Sequence, residues 1–187
     1  MKLIILDRDG VINRDSEAFI KSPDEWIPIP GSLEAIARLK QAGYRVVVAT
    51  NQSGIARGLL NMQTLNDIHQ KMHAAAQLAG ADIDAIFFCP HAAEDNCDCR
   101  KPKPGMLHAI AKRFETSLKG VPNVGDSLRD LQAGYVVGCT PYLVLTGKGQ
   151  KTHDKGGLPP GTLSFRNLAA VVDHVLQPAP NIPAAGD

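Results

Sequence analysis

The chain has 187 residues, a formal net charge of +1 and 44% hydrophobic residues, which suits one domain large enough to bury a core and too small for a second full-sized module. Basic and acidic residues are mixed throughout, so no long-range field favours nucleic acid or an anionic membrane, and any affinity for a charged ligand must be local. The apolar stretches are strand-sized, and the start Met-Lys-Leu-Ile-Ile-Leu-Asp meets charge too early for a signal peptide, so a cytoplasmic protein is expected.

Apolar runs alternate with amphipathic stretches in the rhythm of parallel β-α units. Residues 3–6 predict the first strand. Pro30, Gly31 and Ser32 open a helix with Leu33, Ile36, Ala37 and Leu39 on one face, and Gly43 ends it ahead of a strand over 45–49. Residues 61–79 predict a second helix with Thr64 as a candidate cap, 83–89 a third strand, 104–114 a third helix, and 121–125 a fourth strand followed by a short helix from Ser127. A fifth strand over 142–145 and a closing helix over 167–176 complete a Rossmann-like, doubly wound parallel sheet in a three-layer α/β/α arrangement. The Gly-, Lys- and Pro-rich stretch 147–161 reads as a mobile surface loop, and 177–187 as a flexible tail beyond a single domain over 1–176.

Polar clusters fall where these strands run out or just ahead of a helix. Asp7 and Asp9, in Leu-Asp-Arg-Asp-Gly, place two carboxylates at the edge where open α/β sheets bind ligands. Asp7 suits attack on phosphorus, and Asp9 suits protonating the leaving oxygen and then deprotonating water. Thr50-Asn51-Gln52-Ser53-Gly54 follows the second strand and offers a hydroxyl and turn N–H groups to phosphoryl oxygens. Arg100 and Lys101 bring a planar fork and a point charge to an anion whose charge spreads during transfer. Asp126, in Gly-Asp-Ser, is a candidate magnesium ligand, with Asp130 one helical turn behind. Each cluster taken alone also reads as an ordinary turn, helix cap or solvated charge. Together they supply every role that phosphate ester hydrolysis needs.

A separate array runs Cys89-Pro90-His91 and then Cys97-Asp98-Cys99. Three thiolates and one imidazole make a closed tetrahedral shell for a structural zinc, in a loop with almost nothing apolar to bury. A disulfide pair with an incidental histidine is the competing reading, disfavoured in a reducing compartment.

Leu-Asp-Arg-Asp-Gly, Thr-Asn-Gln-Ser-Gly-Ile-Ala-Arg-Gly, Cys-Asp-Cys-Arg-Lys-Pro-Lys-Pro-Gly and Val-Gly-Asp-Ser, in this order, resemble the haloacid dehalogenase superfamily over residues 2–147. The resemblance implies a magnesium-dependent phosphatase without a large cap domain, with a zinc-stabilised loop over 89–99 in its place. It implies Asp7 as nucleophile, Asp9 as acid-base, and Thr50 and Lys101 as stabilisers of the phosphoryl group. It further implies Mg2+ on Asp7, Asp126 and the Asp9 carbonyl, and Zn2+ on Cys89, His91, Cys97 and Cys99. Substrate contacts are implied for Arg100, Asn51, Gln52 and Ser53 and for Asp15, Ser16, Glu17 and Ala18, whereas Lys103 does not match the motif lysine. The nearest branch removes the carbon-7 phosphate of a heptose 1,7-bisphosphate in the supply of activated heptose for lipopolysaccharide. The branch acting on histidinol phosphate is the runner-up. The loop over 89–99 is shorter than in some relatives, and Val11 stands where many carry Thr.

A non-catalytic zinc-dependent binding module would be free to lose Asp9, and a phosphatase acting on nucleic-acid ends would need a basic track that the sequence lacks. A small phosphorylated sugar, no nucleic acid, no membrane and a monomeric state are therefore expected. Cys139 reads as a small buried side chain, His69 and His73 as members of a solvated helix face, and Trp26 as core or surface cover. His108, His153 and His174 show no evident partners.

Overall fold

Alternate residues of a strand face opposite sides of its sheet, and in this protein both sides are covered. The structure, a computed structural model, describes residues 1–177, so the tail expected over 177–187 lies outside the described residues apart from Gln177. Six strands, β1 (Lys2–Leu6), β2 (Tyr44–Asn51), β3 (Ala85–Cys89), β4 (Pro122–Gly125), β5 (Thr140–Val144) and β6 (Leu163–Phe165), form one parallel sheet in the order β3-β2-β1-β4-β5-β6. Six helices accompany them: α1 (Ser32–Gln41), α2 (Met62–Leu78), α3 (Gly105–Arg113), α4 (Leu128–Val136), α5 (Gly149–Lys155) and α6 (Leu168–Val175).

Ile4 and Leu6 of β1, with Val46 and Val48 of β2, pack with Ile36 of α1, Leu65 and Ile68 of α2 and Val171 of α6. Leu3 and Ile5, with Val47 and Ala49, face Leu107 and Ile110 of α3 and Ala133 of α4. Burying each large aliphatic side chain stabilises the fold by roughly 1.5–3 kcal/mol, and this two-sided demand explains why β1 and β2 are near-continuous apolar runs. The three-layer α/β/α expectation holds.

The helix ends follow local chemistry. Gly43, at φ 81°, turns the chain from α1 into β2. At α2 the cap is Asn61, whose side chain accepts the Thr64 backbone N–H at 2.8 Å. Thr64, the expected cap, is thus the capped residue, because an Asx oxygen outside the helix reaches the third N–H within it. Two further expectations need correction. Within 147–161, residues Gly149–Lys155 form α5, a single polar helix packed near β5 that carries no apolar period to announce it. The sixth strand, β6, went unpredicted because it has only three residues and joins β5 through its backbone.

Asp84 ties the base of the sheet. Its carboxylate accepts from Lys40 of α1 at 2.6 Å, from Arg45 at 2.7 Å and from the Val46 N–H at 2.7 Å. Burial opposes its charge, but the hydrogen bonds from Arg45, Lys40 and Val46 outweigh that and hold its pKa below the usual carboxylate value.

The strand order reverses between β1 and β4, the switch point at which sheets of this kind open a crevice beyond the strand carboxyl ends. Among the described residues no separate cap domain covers that crevice. The β1–α1 connection folds back on the core instead, burying Ile12, Ile20 and Trp26, and Lys71 of α2 grips the Pro23 carbonyl at 2.6 Å.

Candidate active site

Asp7 leaves β1 with its N–H bonded to the Val124 carbonyl of β4 at 2.9 Å, which sets its side chain beside the end of the neighbouring strand. Asp126 follows β4 directly. A Cβ on Gly10, which has φ 81°, would collide with the Asp126 carboxylate, and so would one on Gly147, at φ 57°. Only glycine lets these three segments meet. The segment after β5 closes the contact from behind: Lys148 N–H donates to Asp126 Oδ2 at 2.8 Å, Thr152 Oγ1 to the Asp126 carbonyl at 2.9 Å, and Thr146 Oγ1 to the Gly10 carbonyl at 2.6 Å.

Carboxylate oxygens of Asp7, Asp126 and Asp130 all lie within 4.8 Å of one another. Burial, opposed by Lys101 and reinforced by Asp130 and Asp9, pushes Asp7 up to about 6. Burial together with Asp130 and Asp7 pushes Asp126 up to about 8. A hard divalent cation with oxygen ligands fits such a set and would remove the repulsion that raises these values. Asp130 is already engaged: it binds Lys101 Nζ at 2.6 Å and accepts from the Ser127 N–H at 3.0 Å. Asp7 and Asp126 are thus the freer donors.

Lys101 is 4% exposed and reaches Asp7 Oδ1 at 3.1 Å and the Ala49 carbonyl at 2.7 Å. Burial would discharge it, but Asp130 and Asp7 more than compensate and raise its pKa. Asn51 fixes the Lys101 backbone reciprocally, accepting its N–H and donating to its carbonyl, each at 3.1 Å. Gln52 donates to Asp9 Oδ2 at 3.1 Å and to Thr50 Oγ1 at 3.0 Å, which leaves the buried Thr50 hydroxyl its own proton to donate. Asp9 also accepts from Asn13 at 2.8 Å and from both Nε and Nη2 of Arg8. Burial acts against its charge, yet the Arg8 cation and these hydrogen bonds bring its pKa below the usual value.

A polar cavity of about 250 Å³ joins these groups. It is lined by Asp7, Asp9, Thr50, Asn51, Gln52, Ser53, Arg100, Lys101 and Asp126, and also by Asp15, Ser16 and Glu17. Ala18 is exposed and does not line it; its carbonyl holds Lys21. Lys103 points to Asn96 instead. Arg57, Arg129 and Lys148 line the cavity without having been predicted. Arg57 belongs to the motif Thr-Asn-Gln-Ser-Gly-Ile-Ala-Arg-Gly, Arg129 stands two residues beyond Gly-Asp-Ser, and Lys148 lies in the Gly-, Lys- and Pro-rich stretch over 147–161.

Cys89, at the end of β3, meets His91, Cys97 and Cys99, with Cys89 Sγ 3.6 Å from Cys97 Sγ and 3.1 Å from Cys99 Sγ, and His91 Nδ1 3.3 Å from Cys99 Sγ. All four cysteines of the chain are free thiols. The spacings approach the edge of about 3.8 Å expected for thiolates around tetrahedral zinc, so the donor set fits that metal. Arg100 Nη1 donates to the His91 carbonyl at 3.2 Å, which fastens the pocket's arginine to this loop.

Other histidines divide. His108 and His153 are exposed, and His174 packs against Phe165 and Tyr142. His69 corrects an expectation: it is 8% exposed, facing Arg8 and Phe88 and not solvent. Cys139 is buried as expected, and Trp26, at 1% exposure, belongs to the core.

The family profile "Hydrolase: haloacid dehalogenase-like hydrolase" matches residues 1–138. D-glycero-beta-D-manno-heptose-1,7-bisphosphate 7-phosphatase of Bordetella bronchiseptica is 63% identical over 96% of this chain and 100% of its own length. The protein of the same name from Pseudomonas aeruginosa is 54% identical over 94% and 98%. A crystal structure of D,D-heptose 1,7-bisphosphate phosphatase from B. bronchiseptica, complexed with magnesium and phosphate, superposes with a TM-score of 0.93 at 62% identity, covering 94% of this chain and 98% of that one.

Proposed function

The chain belongs to the haloacid dehalogenase-like hydrolases, and from that membership we propose that it is a magnesium-dependent phosphatase that removes the carbon-7 phosphate of D-glycero-β-D-manno-heptose 1,7-bisphosphate. The observation that carries this reading is the convergence of Asp7, Asp9, Thr50, Lys101 and Asp126 on one cavity, in a chain whose relatives at 54–63% identity bear that activity's name.

Asp7 attacks phosphorus as the bond to the sugar oxygen breaks, giving an aspartyl-phosphate. Asp9 delivers a proton to the departing sugar oxygen. A dianionic phosphate beside Asp9 raises its proton affinity, which offsets the hold of Arg8 in this first step. Asp9 then takes a proton from water as that water releases phosphate from Asp7. Lys101 and the Thr50 hydroxyl stabilise charge on the phosphoryl oxygens during transfer. Asp7, Asp126 and the Asp9 carbonyl would hold Mg2+. Bound there, it would neutralise the phosphate oxygens and position them against the nucleophile.

Arg100, Ser53, Asp15, Ser16 and Glu17 contact the rest of the sugar bisphosphate in the cavity, while Asn51 and Gln52 act mainly by fixing Lys101, Thr50 and Asp9. Ala18 contributes no side-chain contact. Zinc on Cys89, His91, Cys97 and Cys99 orders the loop and through it Arg100 and Lys101. The cavity is complete within one chain, which supports a monomer acting on a small soluble metabolite. The free thiols suit the reducing cytoplasm, and no helix among the described residues is long and apolar enough to cross a membrane. The product would feed the supply of activated heptose for lipopolysaccharide.

Phosphate release measured with and without magnesium across heptose 1,7-bisphosphate, sugar monophosphates and histidinol phosphate tests the reading. The bisphosphate is expected to give the highest kcat/KM. A preference for histidinol phosphate would overturn the assignment.

A further inference from the structure

A buried arginine stands between the acid-base carboxylate and the helix behind it. Arg8 is fully buried, and its guanidinium carries N–H donors only. Nε donates to Asp9 Oδ1 at 3.0 Å and Nη2 to Asp9 Oδ2 at 3.1 Å. The remaining corner, Nη1, lies 3.3 Å from Nε2 of His69 on α2.

Since the guanidinium cannot accept a proton, His69 Nε2 must be the acceptor, and the ring is neutral with its proton on Nδ1. Burial, Arg8 and His73, opposed by Asp9, push His69 down to about 4, in keeping with that state. Phe88 flanks the ring with centroids 6.2 Å apart. His69 does not line the cavity.

We infer that His69 is a positioning residue for the first chemical step: by holding the far corner of the Arg8 guanidinium, it fixes the direction in which Asp9 presents its carboxyl group to the ester oxygen. A guanidinium gripped along one edge alone can pivot with the carboxylate it binds. Anchored to a helix that packs in the core, it cannot. The inference rests on the reading of Asp9 as general acid. It also explains a histidine placed against a cation in the interior, where an unpaired donor or acceptor is costly.

The leaving group supplies the test. A sugar alkoxide departs only with a proton from Asp9, whereas a nitrophenolate departs with little help, so misplacing Asp9 should slow the two esters unequally. His69→Gln keeps an oxygen acceptor of similar reach; His69→Met has nearly the same shape but only a weak acceptor, and His69→Leu has none. With wild-type enzyme alongside, kcat and KM are measured on heptose bisphosphate and on a nitrophenyl phosphate, together with unfolding midpoints. The Met and Leu variants are expected to lose about tenfold or more in kcat on the sugar ester, with KM within about twofold and little change in kcat/KM on the aryl ester. The Gln variant should recover most of that loss.

Equal losses in kcat/KM on both esters, no loss on the sugar ester, or a Gln variant no better than Met would overturn the role of His69. Should wild-type enzyme ignore the heptose bisphosphate but hydrolyse another alkyl phosphate, the substrate assignment falls, and the His69 comparison is read on that ester. Should it hydrolyse neither class of ester, both readings fall.

Discussion

Asp7, the proposed nucleophile, illustrates how one side chain can be placed for chemistry at the expense of local stability. It sits near Asp126 and Asp130 in a largely buried cluster, and its pKa is pushed up to about 6 by burial despite Lys101. Asp7→Asn removes the nucleophile and one of three converging charges. Turnover should fall by at least about 10⁴-fold, while the unfolding midpoint of the metal-free protein stays level or rises. A variant that keeps turnover would refute the nucleophile, and one that unfolds would refute the charge argument. Asp7, Asp9, Asp126, Arg100 and Lys101 were legible because each stands just beyond a strand or ahead of a helix, whereas the lining cations Arg57, Arg129 and Lys148 were not. Nor were Arg8 and His69. Arg8 stands between the two most conspicuous residues and looks like solvated charge. His69 shares its helix with His73, and periodicity alone does not say which face meets a buried guanidinium.

Among the elements, the loop over 89–99 and the segment over 146–152 back the site from two directions. The first carries four residues able to hold a metal ion and the carbonyl that accepts from Arg100. Cys97→Ser is expected to lower zinc content and, by loosening Arg100 and Lys101, to reduce kcat/KM by about 10- to 100-fold, with the core of the sheet intact by circular dichroism. Metal analysis and kinetics on the purified variant check this, and unchanged kcat/KM at reduced zinc would separate the loop from the site. The array was legible because ligand spacing is itself a sequence property. The second segment misled: its Gly and Lys content is that of a mobile loop, yet Gly147 and Lys148 close on Asp126, and α5 follows at once.

At the scale of the whole molecule, folding is linked to pH and metal through the clustered acids. Asp7 and Asp126 rise from the ordinary carboxylate value of 3.8 to about 6 and about 8 when folded, so the folded metal-free protein binds more protons than the unfolded chain between those limits. Its stability from these groups therefore falls as pH rises through that window. Magnesium needs the deprotonated forms, so its stabilisation should be larger at pH 8 than at pH 5.5. Unfolding midpoints with and without magnesium at both values test this, and a larger shift at the lower pH would contradict it. Asp84 works with the opposite sign. Its folded pKa is lowered, so its contribution is present above the unfolded value of 3.8 and is lost as pH falls through the folded one. Asp84→Asn should cost about 1–3 kcal/mol at neutral pH, with the gap to wild type closing under acid. A gap that persists in acid would show that packing, and not charge, ties α1 and β2 together there.

The amino-acid order alone is enough for the α/β class, five of the six strands, the carboxylates Asp7, Asp9 and Asp126, the cations Arg100 and Lys101, the thiol array, and the order in which these meet the sheet. All of these follow from local rules: periods that match a strand or helix, and polar clusters where a period ends. Packing between remote segments is what places β6 at the edge of the sheet, seals Asp126 with the segment after β5, and brings α2 to the loop after β1 through His69 and Arg8. A period names the face that must be covered and a motif names a reactive group. Neither names the partner on the other side, because that depends on how segments remote in sequence pack together.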